Sequence, residues 1–446
     1  MNTNNDSGRT DSEEAKGKRR DRLRHATCEG EPTPYRAYQR MLSRAFTLNR
    51  QSNRGKRVNK RKRIEMYRIL VRNAELPKTR YQLIRTRFLL GECYAVFTRE
   101  DILDVDPDFH DEQSPLAMAA EQYRQAAEVA YQAHDLALYA QLKKMESDAC
   151  LQATPKQFQR AFHAASDALK AWRDAEYRDL ADDDHFEFKL ADTVGVRGHY
   201  VAEYTTAADA LDRAGVLLHR LMERPDADKN QLANDSVYLD WDWASLSLTR
   251  GEPRFAFHRI MRVRKQGLDL FQDQDRARLS YIIAVIAMDC IEHGGVEGFN
   301  GARLAAVADT EIEKAKVFAA RCHDESLDVL ILLADARSLG LLKIEEGRSE
   351  AIEKAARIAE KSDDPLLPGH VALARGDDWR LRRQKRRARK CYREVIADMT
   401  AVGFLELVSV AERRLALMSS KSAGKSTSPP PRRRIAPPQG DKILRN

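Results

Sequence analysis

The chain has 446 residues, 43% of them hydrophobic and 32% charged, with 21 glycines, 15 prolines and a net charge of +8. Its most apolar run, Tyr281–Met288, is far short of the roughly 20 residues a membrane-spanning helix needs. Six cysteines lie far apart with no C-x-x-C pair, which argues against a disulfide framework or a zinc site and for thiols in a reducing cytoplasm. The expectation is a cytoplasmic protein with no membrane partner. Residues 1–63 hold 18 Lys and Arg against 7 Asp and Glu, and residues 377–446 hold the same numbers. Two ends of +11 therefore flank a body, 64–376, of −14, a segregation that the overall pI hides.

Residues 1–33 are polar, poor in large apolar side chains and predicted to be disordered. Residues 34–63 read as a basic amphipathic helical segment. It ends in "RGKRVNKRKR", which places Arg54, Lys56, Arg57, Lys60, Arg61, Lys62 and Arg63 within ten positions. From 64 to 418, helical segments of some 12–20 residues alternate with polar breaks that hold the prolines. Residues 419–446, rich in Pro, Ser and Arg, form a second disordered tail.

The helical body repeats. "FAARCHDESLDVLILLADA" (318–336) aligns with "IAEKSDDPLLPGHVALARG" (358–376) and with "DMTAVGFLELVSVAERR" (398–414), so that Leu327, Leu367 and Leu407 coincide at 40-residue spacing. Each copy is a helix end, a short polar break and an amphipathic helix, the signature of a solenoid built from helix pairs. In "YLDWDWASLSLTRGEPRFAFHRIMRV", Ala244, Gly251, Ala256, Ile260 and Val263 fall where the tetratricopeptide repeat (TPR) family places its small and aliphatic residues. "LGLLKIEEGRSEAIEKAARIA" offers Gly340, Gly347, Ala351, Ala355 and Ile358, the last three one position early, as for a shortened turn. "FLLGECYAVF" supplies Gly91 and Tyr94, followed after an insertion by Ala119, Tyr123 and Ala126. The chain thus resembles the TPR family, with degenerate repeats. The fold class expected is all-α: a right-handed α-solenoid of TPR-like antiparallel helix pairs with disordered basic termini. In this reading Gly340 admits a neighbouring helix, and Gly347 ends one helix and reverses the chain.

No motif carries catalysis, so the expectation is a protein that is not an enzyme and uses no cofactor. "SSKSAGKST" (419–427) lacks the first glycine of a phosphate loop and any preceding strand. "DVDPDFHDE" (104–112) lacks the turn glycine and the final glutamate of a calcium loop. The acidic stretch 179–188, with Asp182–Asp184 before His185, reads as a solvated insertion.

Two functional readings follow. The first is a protein–protein interaction scaffold. The TPR resemblance implies that side chains of the first helix of each pair line a concave groove for a peptide or protein segment. The groove candidates are Arg87, Tyr94, Asp240, Ser247 and Lys343. Of Trp241 and Trp243, two apart on a helix, one belongs to the core; Trp243 is assigned to the groove. The alternative is a nucleic-acid-associated regulator working through its basic ends. Besides Arg54–Arg63, it would use "WRLRRQKRRARK" (379–390), read as part of one helix with no acidic partner in the run. Arg382, Arg383, Arg386, Arg387 and Lys390 are its candidate contacts. Basic ends resting on a neighbour's acidic body, giving self-association, are a third arrangement.

Overall fold

The computed structural model describes residues 80–96, 114–175, 183–267 and 271–420. The basic stretch Arg54–Arg63, the helix expected over 34–63, both tails and the acidic stretch 104–112 lie outside them. The described residues form fifteen helices. They are α1 (Arg80–Val96), α2 (Pro115–Gln132), α3 (Leu136–Gln152), α4 (Phe158–Asp174), α5 (Asp183–Tyr200), α6 (Tyr204–Glu223), α7 (Lys229–Thr249) and α8 (Pro253–Gly267). There follow α9 (Asp273–Glu292), α10 (Gly301–Ala319), α11 (Glu325–Leu341), α12 (Arg348–Ala359), α13 (Leu367–Leu381), α14 (Lys385–Val402) and α15 (Leu405–Ser420). The chain divides into two compact units, one up to Asp183 and one from Asp184 onward.

In the first unit α1 packs on α2, α2 on α3 and α3 on α4. The absent side chain of Gly91 is filled by Tyr123: a Cβ there would lie 2.5 Å from the ring. The phenol donates to Glu92 at 2.8 Å. The two helices that the TPR resemblance assigns to one unit, with Gly91 on the first and Tyr123 on the second, do pack together, and Gly91 meets Tyr123 where they cross.

The second unit is an array of antiparallel pairs, α5/α6, α7/α8, α9/α10, α11/α12 and α13/α14, followed by α15, which packs on α14 and is the last of the described helices. Gly195 of α5 admits Leu211 of α6, and the other four pairs each share a broad face. Ala244, Ala256, Ile260 and Val263 are fully buried in one continuous core running from α7 to α11. Leu327, Leu367 and Leu407 occupy the first turns of α11, α13 and α15 and are all buried, as their 40-residue spacing predicts. Polar breaks in the sequence become helix caps. Asp228, Asn300 and Asp324 accept from backbone N–H groups of α7, α10 and α11 at 2.9–3.1 Å, closing donors that a helix start leaves open.

All five turns within pairs have one chemistry. The N–H of Glu203, Glu252, Gly295, Ile344 and Gln384 each reaches back to the carbonyl five residues earlier, at 2.8–2.9 Å. The residue before each of them is left-handed: Ala202, Gly251, Gly294, Lys343 and Arg383. This is the Schellman closure, which satisfies carbonyls at a helix end. It corrects the reading of "LGLLKIEEGRSEAIEKAARIA". The first helix ends at Leu341, Lys343 does there what Gly251 does in the earlier pair, and Gly347 is the left-handed N-cap of α12. The connection is lengthened rather than shortened, because ending one helix and starting the next use two separate left-handed residues. Gly340 does admit a neighbour. A Cβ there would stand 2.6 Å from Leu381 of α13.

Two substitutions test this account in opposite directions. Lys343→Gly or Arg383→Gly should raise stability by about 0.5–1 kcal/mol, since a side chain is strained at positive φ. Gly376→Ala should lower it by about 2 kcal/mol, because the new Cβ falls 2.6 Å from the buried Tyr392 ring. Urea midpoints at constant m-value measure both.

Candidate functional site

Same-layer contacts join the odd-numbered helices: α9 touches α11, α11 touches α13 and α13 touches α15. The even-numbered helices have none of that extent among the described residues. In a curved stack the compressed layer is the inner one, so the odd helices line the concave side of the second unit.

Along this layer polar residues recur at two-turn spacing. On α5 these are His185, Lys189, Asp192 and His199; on α7 they are Asp235, Asp242 and Thr249. The two stripes meet rung by rung. Asp235, 5% exposed, accepts Lys189 Nζ at 2.6 Å and is hydrogen-bonded to His185 Nε2 at 3.0 Å. Higher up, Asp192 and Asp242 are hydrogen-bonded carboxyl to carboxyl, and further on His199 Nε2 lies 2.5 Å from Thr249 Oγ1. Burial pushes both carboxyls of the pair up. Asp242 is pushed further because Asp192 adds like charge and a hydrogen bond beside it, while Arg197 and Lys189 pull it down. Lys189 and His185 remain about a third exposed, at 39% and 31%, so water reaches this rung.

At the other end of the layer the C-terminal ends of the inner helices are tied together. Glu292 at the end of α9 meets Arg337 of α11 at 3.4 Å, Arg380 of α13 at 3.1 Å and Arg414 of α15 at 2.6 Å. Asp289 pairs with Arg337 and, at 3.5 Å, with Arg414. Asp377 of α13 takes Arg380 at 3.3 Å, Arg414 at 3.4 Å and the Tyr392 hydroxyl at 2.7 Å. Helix α15 also reaches the first members of the layer. Glu406 lies 3.3 Å from His199 and 3.5 Å from Thr249 Oγ1, and Arg413 donates to the carbonyl of Thr249. Helix ends carry partial negative charge that arginines offset. Burial pulls the Glu292 and Asp289 carboxyls up, but Arg337 and Arg414, with Arg380 added at Glu292, hold both below the usual carboxylate range.

Of the residues assigned to a groove from the sequence, none belongs to this face. Tyr94 is core, 5% exposed. Arg87 donates to Gln122 of α2 at 2.9 Å. Asp240 accepts Arg259 and Arg262 of α8 at 2.7 and 3.0 Å, and Arg259 covers the Trp243 ring at 5.0 Å. Both therefore turn to their own hairpin partner. Ser247 is buried with its hydroxyl on the Trp243 carbonyl, and Lys343 sits in a turn. Trp241 packs on the core beside Phe271, at 5.4 Å. The run 379–390 is not one helix: it breaks at Arg382–Gln384, where Arg383 is left-handed. Its acidic partners come from outside the run. Arg382 pairs with Asp378 at 3.0 Å and Lys390 with Glu394 at 3.6 Å, while Arg387 covers Trp379 at 4.7 Å and Arg386 is exposed. The inner-face residues escaped sequence reading, although Asp235, Asp242 and Thr249 at seven-residue intervals on a helix are the signal that marks them.

The two ends of the inner face should respond oppositely to pH. Depressed carboxylates stabilise the fold above the ordinary carboxyl range near pH 4 and lose that contribution as pH falls through their folded values. Arg414→Ala should cost about 3–5 kcal/mol at neutral pH and move the acid unfolding midpoint upward. Asp242 has a raised pKa, so its penalty grows as pH rises above about 4. Asp242→Asn should therefore be more stable than the parent at pH 7, with the gain vanishing toward pH 4. Thermal melts across pH give both.

No helix among the described residues is long and apolar enough to cross a membrane. No protein-family model matches the chain, and no curated protein matches it in sequence. Among solved structures it is similar to a Rap protein crystallised with competence and sporulation factor, at a TM-score of 0.44 and 10% identity over 86% of this chain and 98% of that one. It is similar also to the apo form of RapI, at 0.44 and 13% identity over 87% and 99%.

Proposed function

We propose that this protein is a non-enzymatic interaction scaffold that holds a peptide or protein segment against the inner face of its second unit. The segment's cationic side chain would be received at Asp192 and Asp242. The acid pair supports this reading more than any other feature. Two carboxyls sit side by side on the concave face, where burial and their like charge raise both. A lysine or arginine placed there would add to Lys189 and Arg197 and offset the like-charge penalty between the two carboxyls. The opposite end of the same face already holds a helix of the chain, α15, through charges of this kind, which is what a groove for helical or extended segments does. No covalent step is involved: affinity comes from a preformed face and paired charge.

Panning a random peptide library on the full chain is the test. Enrichment of Lys- or Arg-bearing peptides is expected, with affinity at least tenfold weaker for Asp192→Asn/Asp242→Asn. No enrichment, or the same peptides bound equally by the variant, sinks the reading.

A further inference from the structure

The end of α13, the following turn and the first half of α14 form a surface whose charges no other described residue balances. Arg383, Lys385, Arg386, Arg389 and Arg393 are exposed, and none is joined to a carboxylate among the described residues. Their neighbours behave differently: Arg375, Arg380, Arg382 and Lys390 each have an acidic partner. Helix α14 also begins against ordinary rules. Gln384 provides no side-chain cap, the first turn holds no acidic residue, and Lys385, Arg386 and Arg387 lie at the positive end of the helix. Nothing among the described residues offsets this arrangement, and a local rule broken without internal gain marks a surface kept for something outside. The patch is held firm from below. Arg382 and Arg387 both lie over the Trp379 ring, at 5.6 and 4.7 Å, so the indole is covered.

The chemistry of the missing partner follows from the layout. Lys385, Arg389 and Arg393 recur every four residues, about 6 Å apart at 1.5 Å rise per residue, close to two steps of roughly 3.4 Å along one nucleic-acid strand. Four of the five unbalanced groups are guanidinium forks, which match phosphate oxygens in pairs. None of the exposed large apolar side chains lies between 379 and 402, so the surface lacks the apolar anchor on which protein interfaces depend. We propose that this surface contacts the phosphate backbone of a nucleic acid without reading its sequence. It involves α13 and α14 alone and stands apart from the scaffold reading of the inner face.

Fluorescence anisotropy of a labelled DNA duplex with the full chain, titrated with salt, tests it. The variant carries Arg383→Gln, Lys385→Gln, Arg386→Gln, Arg389→Gln and Arg393→Gln. Affinity should fall at least tenfold, and the slope of log affinity against log salt should shrink by about 3, at roughly 0.9 for each phosphate that is no longer neutralised. Basic residues elsewhere add to total binding, so the change of slope is the decisive readout. Circular dichroism should show an unaltered fold, since none of the five is paired. If that variant does not fold, Arg389→Gln/Arg393→Gln should shrink the slope by about 1 to 2. An unchanged slope, no duplex binding by the parent at low salt, or a polyglutamate probe bound as tightly as the duplex would each overturn the proposal.

Discussion

Glu292 accepting arginines from three other helices is the contact on which the second unit depends. An array of helix pairs has only nearest-neighbour contacts to hold it, so its curvature is weakly determined by local packing. Here one carboxylate at the end of α9 draws together α11, α13 and α15. Removing water from those charges is expensive, and the arrangement survives because each carboxylate meets more than one guanidinium. Arg414 shows the balance best, reaching Asp289, Glu292 and Asp377 from one side chain.

That closure divides the inner face into two electrical regimes. Toward α15 the helix ends and their carboxylates are met by arginine, and the carboxyls there are held low. Midway along α5 and in the second half of α7 the same layer holds an acid pair whose carboxyls burial holds high, although Lys189 and Arg197 nearby pull them down. At one end arginine outweighs the cost of burial, and at the acid pair burial and like charge outweigh the nearby cations.

The array tolerates this demanding interior because its turns are uniform. Five Schellman closures hold the chain reversals with the same pair of backbone bonds, whether the left-handed residue is glycine, alanine, lysine or arginine. Backbone hydrogen bonding fixes the hairpins, leaving side chains on the inner face free to serve charge rather than geometry.

Much of this was legible in the residues themselves. Apolar periodicity identified helices; Leu327, Leu367 and Leu407 marked a 40-residue unit; Ala244, Gly251 and Ala256 marked a hairpin; Gly91 and Tyr123 met as their types suggested. These are local facts, set by helix geometry and by the volume of single side chains. The direction in which Asp240 or Trp243 faces was not legible, because one helical position of rotation separates the inner layer from the hairpin partner. Nor was the role of Lys343, since lysine carries no mark of a left-handed turn. The charge network was hidden most deeply: Arg414 and Glu292 stand 122 positions apart. Sequence alone determined that the chain is a stack of helix pairs. Only tertiary structure decided which charges meet, because curvature brings together the ends of helices that no local pattern relates.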